Sequence, residues 1–78
     1  MKIRITKPDS TLFDGEGKLV QLPGTGGKFE ILDNHAPIIS SLGEGLIKLR
    51  LAGKVETIKI SSGFVRTGRG EMTVCVEL

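Results

Sequence analysis

The chain predicts an all-β fold, a sandwich or small barrel of eight to ten short strands. Three observations predict it. Apolar and polar residues alternate with period two along most of the 78 residues. Eleven glycines interrupt that alternation, and glycine disfavours helix. Nowhere do apolar residues recur at the 3.6-residue spacing of a helix face.

Residues 1–6 form the first expected strand, with Ile3 and Ile5 on one face and Lys2, Arg4 and Thr6 on the other. Pro8-Asp9 ends it, because proline cannot donate to a ladder. Thr11-Leu12-Phe13 is a second short strand, closed by the turn pair Asp14-Gly15. Residues 18–22 form a third, with Val20 and Leu22 sharing a face, before a tight turn through Pro23-Gly24-Thr25-Gly26-Gly27. Phe29 and Ile31 then share a face opposite Lys28, Glu30 and Leu32. A turn through Asp33-Asn34-His35-Ala36-Pro37 leads to a short strand at 38–42, which Gly43-Glu44-Gly45 breaks.

The strongest strand pair comes next. Ile47, Leu49 and Leu51 alternate with Lys48 and Arg50; Ile58 and Ile60 alternate with Thr57 and Lys59. Pairing Ile47 with Ile60 would set Lys48 against Lys59, a like-charge pair. Ile47 opposite Ile58 is therefore expected, with Ala52-Gly53 as a two-residue turn. Ser61-Ser62-Gly63 interrupts the run, and Phe64-Val65 opens a strand that ends at Gly68-Arg69-Gly70. The final strand puts Met72, Val74, Val76 and Leu78 on one face and Thr73, Cys75 and Glu77 on the other.

Composition narrows the function. A chain this size buries only about 60% of the surface its unfolded form exposes. Yet 38% of the residues are apolar and mean hydropathy is +0.07, so part of the apolar area is expected to face a partner. Net charge is +2, with basic and acidic residues interspersed, which argues against a polyanion ligand. There is no Trp or Tyr, and base stacking would rest on three Phe. The single Cys75 makes no internal disulfide, which favours a reducing compartment. Residues 1–9 lack the apolar stretch of a signal peptide. No apolar run approaches the roughly 20 residues of a membrane span.

The chemistry-bearing residues do not assemble a catalytic set. Gly24-Thr25-Gly26-Gly27 does not complete G-x-G-x-x-G, and Arg69-Gly70 stands where a P-loop needs Lys-Ser/Thr. Ser61 and Ser62 sit in no nucleophile elbow, and Cys75 has no cationic neighbour in its strand. His35 is the only histidine, with no second or third partner for a metal. No catalytic, cofactor-binding or metal-binding residue is expected. Residues 22–46, with five of the eleven glycines, two of the three prolines and His35, are where a scaffold of strands would carry a contact site.

The ordered set LPGTGGKFEILDNHAPIISSL, then Gly45-Leu46-Ile47-Lys48-Leu49-Arg50, then Ser62-Gly63-Phe64-Val65, then Met72-Thr73-Val74, resembles the N-terminal β-sandwich domain of the epsilon subunit of F-type ATP synthases. The opening residues 5–16 match that family loosely, with Lys7 inserted before Pro8. The resemblance implies a flattened sandwich of about ten mostly antiparallel strands. It implies no catalysis and no cofactor, but a place in the rotor stalk of a proton-translocating synthase, peripheral to the cytoplasmic face of a bacterial inner membrane without inserting into the bilayer. There the domain binds the gamma subunit and the c-ring and couples rotation to ATP synthesis.

The likeness maps the c-ring contact onto Lys28, Glu30, Asp33 and His35. At Lys28 the family commonly has an acid, so the charge is reversed here. Many family members continue into a C-terminal helical hairpin. This chain stops at Leu78, so the single expected domain is 1–78 with the hairpin absent, and neither hairpin-based inhibition nor its ATP site is carried over. The rival reading is a small single-stranded nucleic-acid-binding barrel using Arg66, Arg69 and the Phe residues.

Overall fold

In the computed structural model, which describes residues 1–33 and 36–78, the alternating segments form nine strands among the described residues. They are β1 (Lys2–Lys7), β2 (Ser10–Glu16), β3 (Leu19–Gly24), β4 (Gly27–Leu32), β5 (Ile39–Leu42), β6 (Gly45–Leu51), β7 (Lys54–Ile60), β8 (Ser62–Gly68) and β9 (Glu71–Glu77). Hydrogen bonding runs in the order β2-β1-β9-β8-β5-β3-β6-β7, with β4 on the remaining side of β3. All pairs are antiparallel except β1 with β9, which is parallel. Among the described residues, the strand ladder joins the two halves where Gly24 of β3 pairs with Leu42 of β5. Around that junction the sheet curls into two layers, β2-β1-β9-β8-β5 and β4-β3-β6-β7.

Period-two patterning decides what lies between the layers. Ile3 and Ile5 from β1, Val20 and Leu22 from β3, Ile47 and Leu49 from β6, and Val65, Met72 and Val74 from β8 and β9 are all at most 1% exposed. Lys48 and Arg50, between Ile47 and Leu49 or beyond them, face outward. Ile47 stands opposite Ile58, with Ala52 and Gly53 in the turn, as the like-charge argument requires.

Four local expectations are corrected. Asp14-Gly15 does not end β2. The strand continues because Arg4 pairs with Asp14 and Ile3 with Gly15, and the missing side chain of Gly15 makes room for the Phe13 ring: a Cβ there would lie 3.2 Å from Phe13 Cζ. A bulge between Ile5 and Thr6 leaves Leu12 as the extra residue, so Leu12 and Phe13 both pack against the core.

Pro23-Gly24 likewise belongs to β3, and the turn shrinks to Thr25 and Gly26. Pro23 is tolerated because β3 changes neighbour there, from β6 at residues 19–21 to β5 at Gly24. No ladder donor is needed at that point, and the Pro23 carbonyl accepts a 2.7 Å bond from Gly43 N–H. Ser61-Ser62-Gly63 is a break of one residue only, since β8 begins at Ser62. Leu78 lies past the end of β9 and is 61% exposed, so it does not extend the buried row of Met72, Val74 and Val76.

Candidate partner-binding surface

The residues expected to carry contact spread along β4 and its exit. Lys28 and Glu30 point outward from β4 and are exposed. Lys28 stands beside the two-residue turn, opposite Pro23; Glu30 stands opposite Gln21. Asp33 follows the other end of β4, roughly 16 Å from Lys28 at the rise of a strand. Its carboxylate accepts a 2.6 Å hydrogen bond from the Met1 α-ammonium group. That amine also donates to the Gly17 carbonyl at 2.9 Å and lies 3.6 Å from Glu16. The hydrogen bond to Asp33 is the largest of several effects holding the amine above its ordinary value of 8.0, against an opposing desolvation. His35 lies outside the described residues. Lys28 and Glu30 therefore share one face of β4, and Asp33 is turned to the N-terminus.

The far end of the loop is anchored from β8. Thr67 Oγ1 accepts a 2.8 Å bond from Ile38 N–H and donates to the Ala36 carbonyl at 3.5 Å, while Thr67 N–H donates to the Ile38 carbonyl at 2.9 Å. Thr67 is the one buried polar residue among those described. Asp33, just after β4, and Ile38, just before β5, are thus both tied to other parts of the sandwich.

A second feature was not singled out by sequence reasoning. On the outer face of the β1-β9-β8-β5 layer, Thr6, Cys75, Phe64 and Ser41 form one cross-strand row. Phe64 is 50% exposed there, and Ile39 on the neighbouring row is 76% exposed. Thr6, Lys7, Pro8, Gly63, Phe64 and Cys75 are among the residues lining an open depression of about 500 Å³ there. Gly63 is required at its base, because a Cβ would fall 2.4 Å from the Cys75 carbonyl oxygen. The available signal was the run of apolar neighbours Phe64-Val65 and Ile38-Ile39. Two adjacent apolar residues on a strand cannot both face one core.

The nucleic-acid reading loses its stacking platform in this arrangement. Phe13 and Phe29 are half-buried against the core, and Phe64 alone of the three is exposed. Among the described residues no group of three or more His, Cys, Asp or Glu could hold a metal ion, and no helix is long and apolar enough to cross a membrane.

Known proteins place this fold. Residues 1–78 match the family model of the ATP synthase delta/epsilon chain, beta-sandwich domain. The chain belongs to that family. The epsilon chain of Desulfitobacterium hafniense is 39% identical over 75 residues, covering 96% of this chain and 57% of that protein. The epsilon chain of a Synechococcus strain is 34% identical over 76 residues, covering 97% and 56%. This member of the delta/epsilon family thus spans just over half the length of those two relatives.

Its fold is shared with a chain of the Euglena gracilis mitochondrial ATP synthase, an assembly of OSCP, F1 and c-ring, at a TM-score of 0.88 and 19% identity, covering 95% of this chain and 48% of that one. It is shared too with a chain of the Tetrahymena thermophila central stalk and c-ring, at a TM-score of 0.86 and 14% identity, covering 100% and 63%. The β-sandwich of the delta/epsilon family is therefore the architecture of this chain.

Proposed function

We propose that this domain is a rotor-stalk component of a proton-translocating F-type ATP synthase, with no catalysis of its own. Membership of the delta/epsilon family over all 78 residues carries the reading. The outer face around Phe64 supports it, since a half-exposed aromatic in an open apolar depression fits a surface built to be covered. In this proposal that face meets the gamma subunit. The exposed Lys28 and Glu30 side of β4, with the loop carrying Asp33 and His35, meets the c-ring. The domain turns with both and helps couple proton flow to ATP synthesis at the membrane, without entering the bilayer. The proposal covers the sandwich domain alone.

Co-expression with a gamma subunit, followed by pull-down and gel filtration, tests it. A stable complex that Phe64→Glu weakens at least tenfold is expected, with the variant still folded. Absence of a complex, or a complex indifferent to Phe64→Glu, overturns the reading or its placement of the contact.

A further inference from the structure

We propose that the outer face of the β4-β3-β6-β7 layer is a second docking surface, and that its occupant is a protein segment carrying carboxylates interleaved with aliphatic side chains. Lys28 and Glu30, at the β4 edge of this face, belong to the c-ring contact of the stalk reading; the new surface is the remainder, on β3, β6 and β7, and it rests on charge and register, not on family membership.

The two outer faces of the sandwich handle charge differently. On the β2-β1-β9 side, opposite signs stand across from one another: Arg4 with Asp14, and Lys2 with both Glu16 and Glu71. On the other side the register builds the rows Leu32–Leu19–Arg50–Val55 and Glu30–Gln21–Lys48–Thr57, with Leu46 opposite Lys59. Four cations, Lys28, Lys48, Arg50 and Lys59, share that face with the single carboxylate of Glu30. None of the four is in an ion pair among the described residues, whereas Lys54, also on β7, is held by Glu56 at 3.2 Å. Glu30 is two strands from Lys48, about 9.5 Å at strand spacing. It is also two residues from Lys28 along β4, about 7 Å at the rise of a strand, so one carboxylate stands against four cations on this face.

The same face exposes aliphatics: Val55 at 57%, Leu32 at 55% and Leu46 at 47%. Val55 stands opposite Arg50 and Leu46 opposite Lys59, while Leu32 lies two strands from Arg50, beyond Leu19. A partner covering the face must therefore supply both apolar area and negative charge at strand spacing. A phosphate backbone supplies only the charge. Its bases would need aromatic faces to stack on, and this face carries no Phe. An anionic bilayer would meet no aromatic anchor for the interface either. Carboxylates set among leucine-like side chains satisfy both requirements.

The test is an NMR titration of the isotope-labelled 78-residue chain with a synthetic amphipathic peptide bearing Glu and Leu on one face. Shifts concentrated at Leu32, Leu46, Lys48, Arg50, Val55 and Lys59 are expected, with affinity falling as salt is raised. The double variant Lys48→Glu/Arg50→Glu should lose binding at least tenfold while keeping its dispersed spectrum; Phe64→Glu should keep it. No binding, shifts centred on Phe64, or indifference to the double variant overturns the proposal. So does a chain that ignores the peptide yet binds phosphatidylglycerol vesicles or a single-stranded oligonucleotide. Loss of gamma binding in the co-expression experiment would leave this result untouched, so the two readings fail separately.

Discussion

The α-ammonium group of Met1 and the carboxylate of Asp33, 32 residues apart, meet at 2.6 Å. With the Gly17 carbonyl at 2.9 Å, this joins the start of β1, the exit of β2 and the exit of β4 at one point. The bond to Asp33 raises the amine above 8.0 in the folded chain. A group raised on folding stabilises fully below its unfolded value, and that contribution is lost as pH climbs through the folded value. This pair's contribution to the thermal unfolding midpoint should therefore be level around neutral pH and fall above about pH 8. Asp33→Asn should flatten that fall and cost at most about 1 kcal/mol at neutral pH, since the pair is open to solvent. Scanning calorimetry across the range checks it; an unchanged alkaline slope in Asp33→Asn would remove the pair as its cause.

Thr67 holds the other end of the same loop. Thr67→Val keeps the shape but leaves Ile38 N–H, bonded at 2.8 Å, without an acceptor. We expect a loss of about 1–3 kcal/mol. Thr67→Ser should recover most of it. Equilibrium unfolding in urea reads both.

Gly63 allows β8 and β9 to approach where the depression around Phe64 forms. A methyl group there meets the Cys75 carbonyl at 2.4 Å and Val76 Cα at 3.1 Å, both backbone. Gly63→Ala should cost about 1–3 kcal/mol through displaced strands. Gly26→Ala, in the β3–β4 turn with nothing within 4 Å, should stay within about 0.5 kcal/mol. Equal losses in the two would contradict the close approach.

Adjacent residues of β6 separate core from surface. Ile47 is fully buried and Leu46 is 47% exposed. Ile47→Ala should cost about 2–5 kcal/mol, and Leu46→Ala within about 0.5 kcal/mol. A comparable loss in both would place Leu46 in a core it does not line.

Lys28 carries the proposed c-ring contact most directly. Lys28→Glu, on an exposed position of β4, should leave stability within about 0.5 kcal/mol while changing ring binding and its salt dependence. Unaltered ring binding and coupled ATP synthesis in that variant would remove the loop from the contact.

The alternation of single residues was enough to place most of this molecule. Ile47 against Ile58 followed from apolar parity and the repulsion of Lys48 and Lys59. The buried rows of β1, β3 and β9 followed from parity alone, because a strand has only two faces. Local composition misled where a pairing partner overrode it: Asp14-Gly15 and Pro23-Gly24 read as turns, yet each is held in a strand by neighbours far along the chain. The amine of Met1 carries no pattern that points to Asp33, and nothing in the order of residues says that Phe64, Cys75 and Pro8 line one depression. Periodicity is a property of one strand and is written in the sequence. Which strands lie side by side, and so which outward residues become neighbours, was decided only when the sheet curled and the two layers closed on their shared core.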